Sequence, residues 1–358
     1  MKEITLKGRG SQTNPKNRFE KLYVDYEADD YFSSDIENNT ERKIPTEFFF
    51  DNSKSIIAVN DSYDIGFKYS FNPYRGCEHG CIYCYARPTH EFLGFSSGID
   101  FESKIMVKKS APELMGKTFR KKNYEPDLIM FSGNTDCYQP IEKKLELTRK
   151  SLIVCLKYRN PVAVITKNHL IQRDIDVLKE LAQLKLVSVM ISMTTLDKEL
   201  ARKMEPRTST PARKLETIKI LSETGIPVGV NVAPVIPGLT DEEIPNILKE
   251  GAAHGAEFAS HIMLRLPHSV EVLFVEWLNK EFPDRAGKII NRIKEIRGGK
   301  MNDYRFKKRM TGEGEFAETI HRLFKMSCDK YKLNKRRYNL SNNLFIRASG
   351  AQIELFKT

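Results

Sequence analysis

Between about Gly66 and Val270, short apolar runs alternate with longer amphipathic stretches, and this alternation restricts the chain to repeated β/α units around a parallel sheet. Strands are expected near Phe67–Phe71, Leu128–Ser132, Val162–Thr166, Val187–Ser192, Pro227–Val232 and Glu257–Leu264. Helices are expected near Ala86–Leu93, Ile141–Tyr158, Ile171–Gln183, Ala212–Thr224 and Glu242–Ala253. That makes about six units, short of the roughly eight that close a barrel. Right-handed crossovers curl such a sheet into a partial (β/α)6 barrel of the α/β class, with a cleft at the C-terminal ends of its strands.

The flanks read differently. Residues 1–55 form a polar extension with an acidic patch at Asp25–Glu37 and no sustained periodicity, residues 56–275 form the core domain, and residues 276–358 form a basic, helical C-terminal region. The 285–337 stretch carries 17 Lys or Arg against 6 Asp or Glu, an excess equal to the net charge of +11 for the whole 358-residue chain. Such a stretch is either an electrostatic footprint for nucleic acid or a solvated charged surface. No apolar run approaches the roughly 18 residues that cross a bilayer, and the opening residues are too polar for a signal peptide, so no membrane partner and a cytoplasmic location are expected.

Six cysteines in a reducing compartment are poor disulfide candidates, and three of them fall in Cys77-Glu78-His79-Gly80-Cys81-Ile82-Tyr83-Cys84, directly after the first strand. Two glycines, Gly76 and Gly80, let the loop fold so that three thiolates face one small ion cage. The missing fourth cysteine leaves a coordination position open, as an enzyme that brings a ligand onto iron requires. The competing reading is zinc completed by His79, His90 or Cys137, against which stands the usual arrangement of zinc ligands in two separated pairs.

At these residues the chain resembles the radical S-adenosylmethionine (SAM) superfamily, in the branch related to spore photoproduct lyase, often called DNA repair photolyase-like. The resemblance rests on Cys-x3-Cys-x2-Cys with Tyr83 before the last cysteine, and on Asn72-Pro73-Tyr74-Arg75-Gly76-Cys77 and Tyr83-Cys84-Tyr85-Ala86-Arg87 around it. It implies a radical SAM barrel, a [4Fe-4S] cluster held by Cys77, Cys81 and Cys84, and SAM on the open iron. It further implies reductive cleavage of SAM to a 5′-deoxyadenosyl radical that abstracts hydrogen, and a donor such as flavodoxin or ferredoxin. It places Tyr83 near adenine, Asn134, Thr135 and Asp136 at the SAM ammonium, and Lys167 at its carboxylate. Ser192 matches the family's ribose position, and Thr194 offers a second hydroxyl.

Glu205 and Arg207 either pair with each other or one of them faces SAM, and both are placed behind the residues that touch it. Arg265, after the sixth strand, either reaches the cleft or serves in an ion pair. Ala233-Pro234 through Gly238 offer an apolar wall for adenine. Cys155 and Cys328 read as buried small hydrophobes from their helical spacing. Cys137 lies beside the SAM-binding turn, but it does not match the lyase's cysteine position for position, and no catalytic residue is assigned. The substrate expected is large or polymeric, with DNA suggested by the resemblance and by residues 285–337, while RNA or a peptide reads the same way. The rival is a non-enzymatic nucleic-acid-binding protein whose cysteine loop is stapled by a structural metal.

Overall fold

The structure is a computed structural model that describes residues 5–20, 41–336 and 339–347. The acidic patch Asp25–Glu37 and the closing segment Ala348–Phe356 lie outside the described residues. The main sheet has seven strands in the order Phe258–Met263, Val228–Val235, Val187–Met193, Val162–Thr166, Ile129–Phe131, Tyr69–Phe71 and Ile57–Val59. Six are parallel and follow chain order, as the sequence pattern requires; Ile57–Val59 adds an antiparallel edge against Tyr69–Phe71. Strands such as Val162–Thr166 are rich in β-branched residues and almost wholly buried, because helices cover their outer face and the barrel interior their inner face.

Two helical expectations change. Arg87–Leu93 forms only a 3-10 segment next to the cysteine loop, and the first crossover is made instead by Ala111–Arg120. Ala111, Met115 and Phe119 in that helix are fully buried at helical spacing, with Pro112 tolerated in the first turn. The single helix expected over Ile141–Tyr158 divides into Glu142–Leu145 and Leu147–Tyr158, because Glu146 adopts φ +55° between them.

Both flanks are fastened to the barrel. Within residues 1–55, where no regular element was expected, Glu47–Phe50 pairs in parallel with Lys104–Val107 in a small three-stranded sheet. The segment around Arg9–Ser11 forms a strap over the cysteine loop. On the other side, helix Glu315–Lys330 packs on helix Ile244–Ala253 and places Phe324 and Cys328 in the main core. Asn334 then covers the free edge of Phe258–Met263, its backbone N–H donating to the Glu257 carbonyl (3.0 Å) and its amide bonding both backbone groups of Ala259 (2.9 Å each). Residues 341–347 run beneath the barrel, with Ser341 N–H on the Lys185 carbonyl and Ile346 N–H on the Tyr158 carbonyl, both 2.9 Å. Phe345 packs there among Phe119, Tyr124 and Tyr158.

Candidate active site

The cysteine loop is held from several sides. Gly76 and Gly80 both take positive φ (77° and 68°), as expected of a loop this tight. The Cys77 N–H donates to the Phe101 carbonyl (2.9 Å) and Ile82 N–H to the Met204 carbonyl (3.0 Å). Gln139 bridges the loop, accepting from Glu78 N–H at 3.0 Å and donating to the Gly76 carbonyl at 3.2 Å. Arg87, wholly buried, directs Nε and Nη2 onto the Cys81 carbonyl (3.0 and 2.9 Å) and pairs with buried Glu102. The strap closes this arrangement: Gly10 and Ser11 N–H donate to the two Glu102 oxygens (3.0 and 2.8 Å), and Arg9 donates to the Glu102 carbonyl (2.6 Å). A side chain at position 10 would put its Cβ 1.7 Å from the Gly80 carbonyl oxygen, so only glycine permits this approach.

Above the C-terminal strand ends lies a cavity of about 210 Å3. Its lining includes all three cysteines of the motif, Tyr83, Tyr85, Asn134, Thr135, Asp136, Lys167 and Ser192. The sequence reading therefore converges on one chamber except at Thr194, which does not line it. Thr194 is buried, its hydroxyl donating to Glu205 (2.6 Å) with the Ala233 carbonyl oxygen also within 3.0 Å. Ala233 and Pro234 do form part of the wall, whereas Gly238 packs against Arg292 and Ile289.

Sequence reasoning missed the wiring beneath these residues. Asp136 accepts from the Thr166 hydroxyl and Lys167 N–H (2.8 Å each) and faces His79 Nδ1 at 3.4 Å. Burial would raise the Asp136 carboxyl, but His79 and the backbone donors hold it below the ordinary value. His79, read as a loop residue or a zinc ligand, is thus committed to Asp136 on one side and to Asn168 on the other (3.2 Å). Glu205 and Arg207 do not pair with each other: Arg207 pairs with Glu78 (3.2 Å), while buried Glu205 takes Lys167 (3.0 Å) and Lys214 (2.8 Å). The Tyr83 hydroxyl donates to the same carboxylate. Burial pushes Glu205 upward, and the two ammonium groups overcome this and hold it well below the carboxylate range. Ser192 accepts from Asn231 (3.2 Å), which accepts in turn from Ser260 (2.7 Å), making a polar floor. Asn134 makes no side-chain hydrogen bond among the described residues and is open to a ligand.

The donor set fits an iron-sulfur cluster better than a single ion. Three thiols share the wall, and burial raises all three above the ordinary thiol value, so metal must displace protons to bind. Among the described residues no three His, Cys, Asp or Glu side chains converge on one ion position. A tetrahedral zinc needs that convergence, whereas a cubane takes one thiolate at each of three separate irons. Cys137 is fully buried and outside the lining, Cys155 and Cys328 lie in the core, and His90 is buried among Phe95 and Phe101.

An open β/α barrel whose C-terminal rim joins three thiols to a polar chamber has the layout of a barrel enzyme with a thiolate-held cofactor. The profile of the radical SAM superfamily matches residues 71–251. An uncharacterized protein of Mycobacterium tuberculosis is 34% identical over 244 residues, 68% of this chain and 71% of its own length. An uncharacterized protein of Methanocaldococcus jannaschii is 27% identical over 255 residues, 68% of this chain and 92% of its own. Among solved structures, spore photoproduct lyase complexed with dinucleoside spore photoproduct superposes with TM-score 0.58 at 15% identity, covering 82% of this chain and 80% of the lyase. A lyase variant with bound SAM and the same dinucleoside gives 0.56 at 14%, with the same coverage. The chain belongs to the radical SAM superfamily. It is an enzyme of the class whose cofactors are a [4Fe-4S] cluster and SAM, which removes the non-enzymatic reading. Among the described residues no helix is long and apolar enough to cross a membrane.

Proposed function

We propose that Cys77, Cys81 and Cys84 hold the cluster, that the chamber beside them holds SAM, and that the enzyme abstracts hydrogen from a nucleic-acid substrate after reductive cleavage of SAM. The observation that carries this reading is the placement of the three thiols in one wall; of the other candidate ligands, His79 lines the same chamber but is engaged by Asp136, and His90 and Cys137 are buried outside it. When bound, cluster and SAM together supply a 5′-deoxyadenosyl radical, on delivery of one electron from a donor such as flavodoxin or ferredoxin.

The protein's own part is positioning. Asn134 offers its amide oxygen to the SAM ammonium, while Asp136 and Thr135 shape that turn, Thr135 through its bond to the Tyr74 carbonyl (2.7 Å). Ser192, backed by Asn231, presents a hydroxyl to the ribose. Ile165, Pro234, Ile262 and Met263 supply apolar surface for adenine and limit the water around a reactive species. Tyr83, fixed by Glu205, completes the wall.

A nucleic-acid substrate is supported by the basic C-terminal region and by the fold shared with a lyase whose bound molecule is a dinucleoside. Part of that basic charge is internally engaged: Arg292 pairs with Glu295, Arg305 and Lys308 with Glu313, Arg309 with Asp64 and Lys335 with Asp329. Arg297 is buried on the Leu264 and Lys308 carbonyls. Exposed cations such as Lys288, Lys294, Lys325 and Lys332 remain for phosphates. The test is anaerobic reconstitution, reduction and analysis for 5′-deoxyadenosine and methionine, followed by deuterium transfer from labelled oligonucleotides into 5′-deoxyadenosine. Colourless protein with one zinc per chain and no SAM cleavage would overturn the reading.

A further inference from the structure

The chamber holds two cations, and they differ in how many of their donors are already engaged. Lys167 has three donor protons, and its Nζ lies within hydrogen-bond reach of three acceptors: Glu205 Oε1 at 3.0 Å, the Ala233 carbonyl at 3.1 Å and Thr194 Oγ1 at 3.3 Å. It shares the single carboxylate of Glu205 with Lys214, so its donors are engaged although the trio keeps a net positive charge. Arg265 also lines the chamber. A guanidinium has five donors, yet the hydrogen bond that Arg265 makes is a weak one to the Met310 sulfur at 3.6 Å. Its remaining support is the Tyr85 ring, whose centroid lies 4.9 Å away.

The carboxylate nearest in influence, Asp64, is engaged by Arg309 through both oxygens, so it does not neutralise Arg265. Among the described residues Arg265 has no ion pair. Arg265 is partly buried, which makes a lone guanidinium costly, and a cation–π contact offsets only part of that cost. Tyr85 is held in turn, its hydroxyl donating to the Gly133 carbonyl at 2.8 Å, so the aromatic support beside Arg265 is fixed across the chamber from the sixth strand.

We infer that Arg265 is an anion-binding residue of the chamber, its free guanidinium fork taking an oxyanion of the bound ligand. The inference rests on the proposed function, and it adds Arg265 to the residues of the chamber that meet an anion. Two ligands would bring the same chemistry: the carboxylate of SAM and the phosphodiester of a nucleic-acid substrate. A planar fork suits either, since both offer two oxygens to parallel N–H donors.

The experiment uses the full chain, reconstituted anaerobically, as wild type, R265M and R265Q. SAM binding is measured by equilibrium dialysis. A dinucleoside monophosphate and its uncharged methylphosphonate analogue are measured by the same method. R265M is expected to weaken one charged probe about ten-fold or more, the loss of a charge-assisted contact. Loss on SAM assigns the oxyanion to the SAM carboxylate. Loss on the dinucleoside monophosphate, with the methylphosphonate unchanged, assigns it to the substrate. Wild-type affinity of R265M for both charged probes, at unchanged iron content and melting temperature, overturns the inference. Should R265M fold poorly, R265Q keeps a polar head without the charge and decides by the same criteria. Failure of the underlying reading looks different: wild type itself would then neither bind nor cleave SAM.

Discussion

The two ends of the barrel are built from opposite materials. At the lower end Phe119, Tyr124, Tyr158 and Phe345 form an aromatic seal, the ring centroids of neighbouring pairs lying between 5.1 and 6.4 Å apart. At the upper end Glu205 pairs with Lys167 and Lys214 beneath the cysteine loop, and Asp136 faces His79 of the loop itself. A seal of apolar rings tolerates small displacements and contributes stability by burial. A buried charge network fixes side chains in one arrangement but adds little net stability relative to apolar packing. The comparison teaches that stability resides mainly below and that the upper rim uses its ion pairs to hold a loop in place for chemistry.

The largest expected effect tests that division at the loop. Replacing Cys81 by Ala should reduce iron per reconstituted chain to background and abolish 5′-deoxyadenosine formation, while the melting temperature of the iron-free protein stays near that of iron-free wild type. A large fall in that melting temperature would show the loop to be a stability element. Next in size, Phe119→Ala at the lower seal should destabilise the fold by about 3–5 kcal/mol in urea unfolding and leave the affinity of the folded protein for SAM unchanged. A SAM affinity lost in proportion to stability would break the comparison.

Glu205→Gln should cost a similar or smaller amount, roughly 3–5 kcal/mol, because it leaves Lys167 and Lys214 buried beside an uncharged group. This variant also carries a pH signature. The folded-state Glu205 carboxyl lies below its ordinary value of 4.5, so its contribution to stability is present above that pH and declines as pH falls below it. Wild type should therefore lose stability on acidification through that window with a steeper slope than the Gln variant; parallel curves would refute the assignment. Smallest is Gly10→Ala, expected to cost about 1–3 kcal/mol as the strap shifts off Gly80. Its sharper readout is faster loss of iron to a chelator, and an unchanged rate would show that the strap does not hold the loop.

What the sequence disclosed follows the same line. The six parallel strands were legible because runs such as Val162–Thr166 carry β-branched residues buried on both faces, and the cysteine loop was legible because ligand spacing is a local property. Helix Ala111–Arg120 was also encoded locally, in the spacing of Ala111, Met115 and Phe119, but Pro112 and the lysines flanking it at both ends obscured it. The charge network was not legible, since Lys167, Glu205 and Lys214 come from three different segments whose meeting depends on the finished barrel. Arg9 and Gly10 lie far in sequence from Glu102 and Gly80, and nothing in a polar extension marks them as partners. Lys167 shows the same limit: the sequence shows that a cation is present, not which acceptors its protons meet.

The passage of residues 341–347 beneath the barrel bears on how this chain is made. Those residues leave the ribosome after every strand they fasten, so the nascent barrel stays unbuckled underneath until they arrive. Stalled chains that stop before Ser341 should be cut readily by protease near Ala111–Arg120, and equal resistance in stalled and released chains would show that the buckle is not needed.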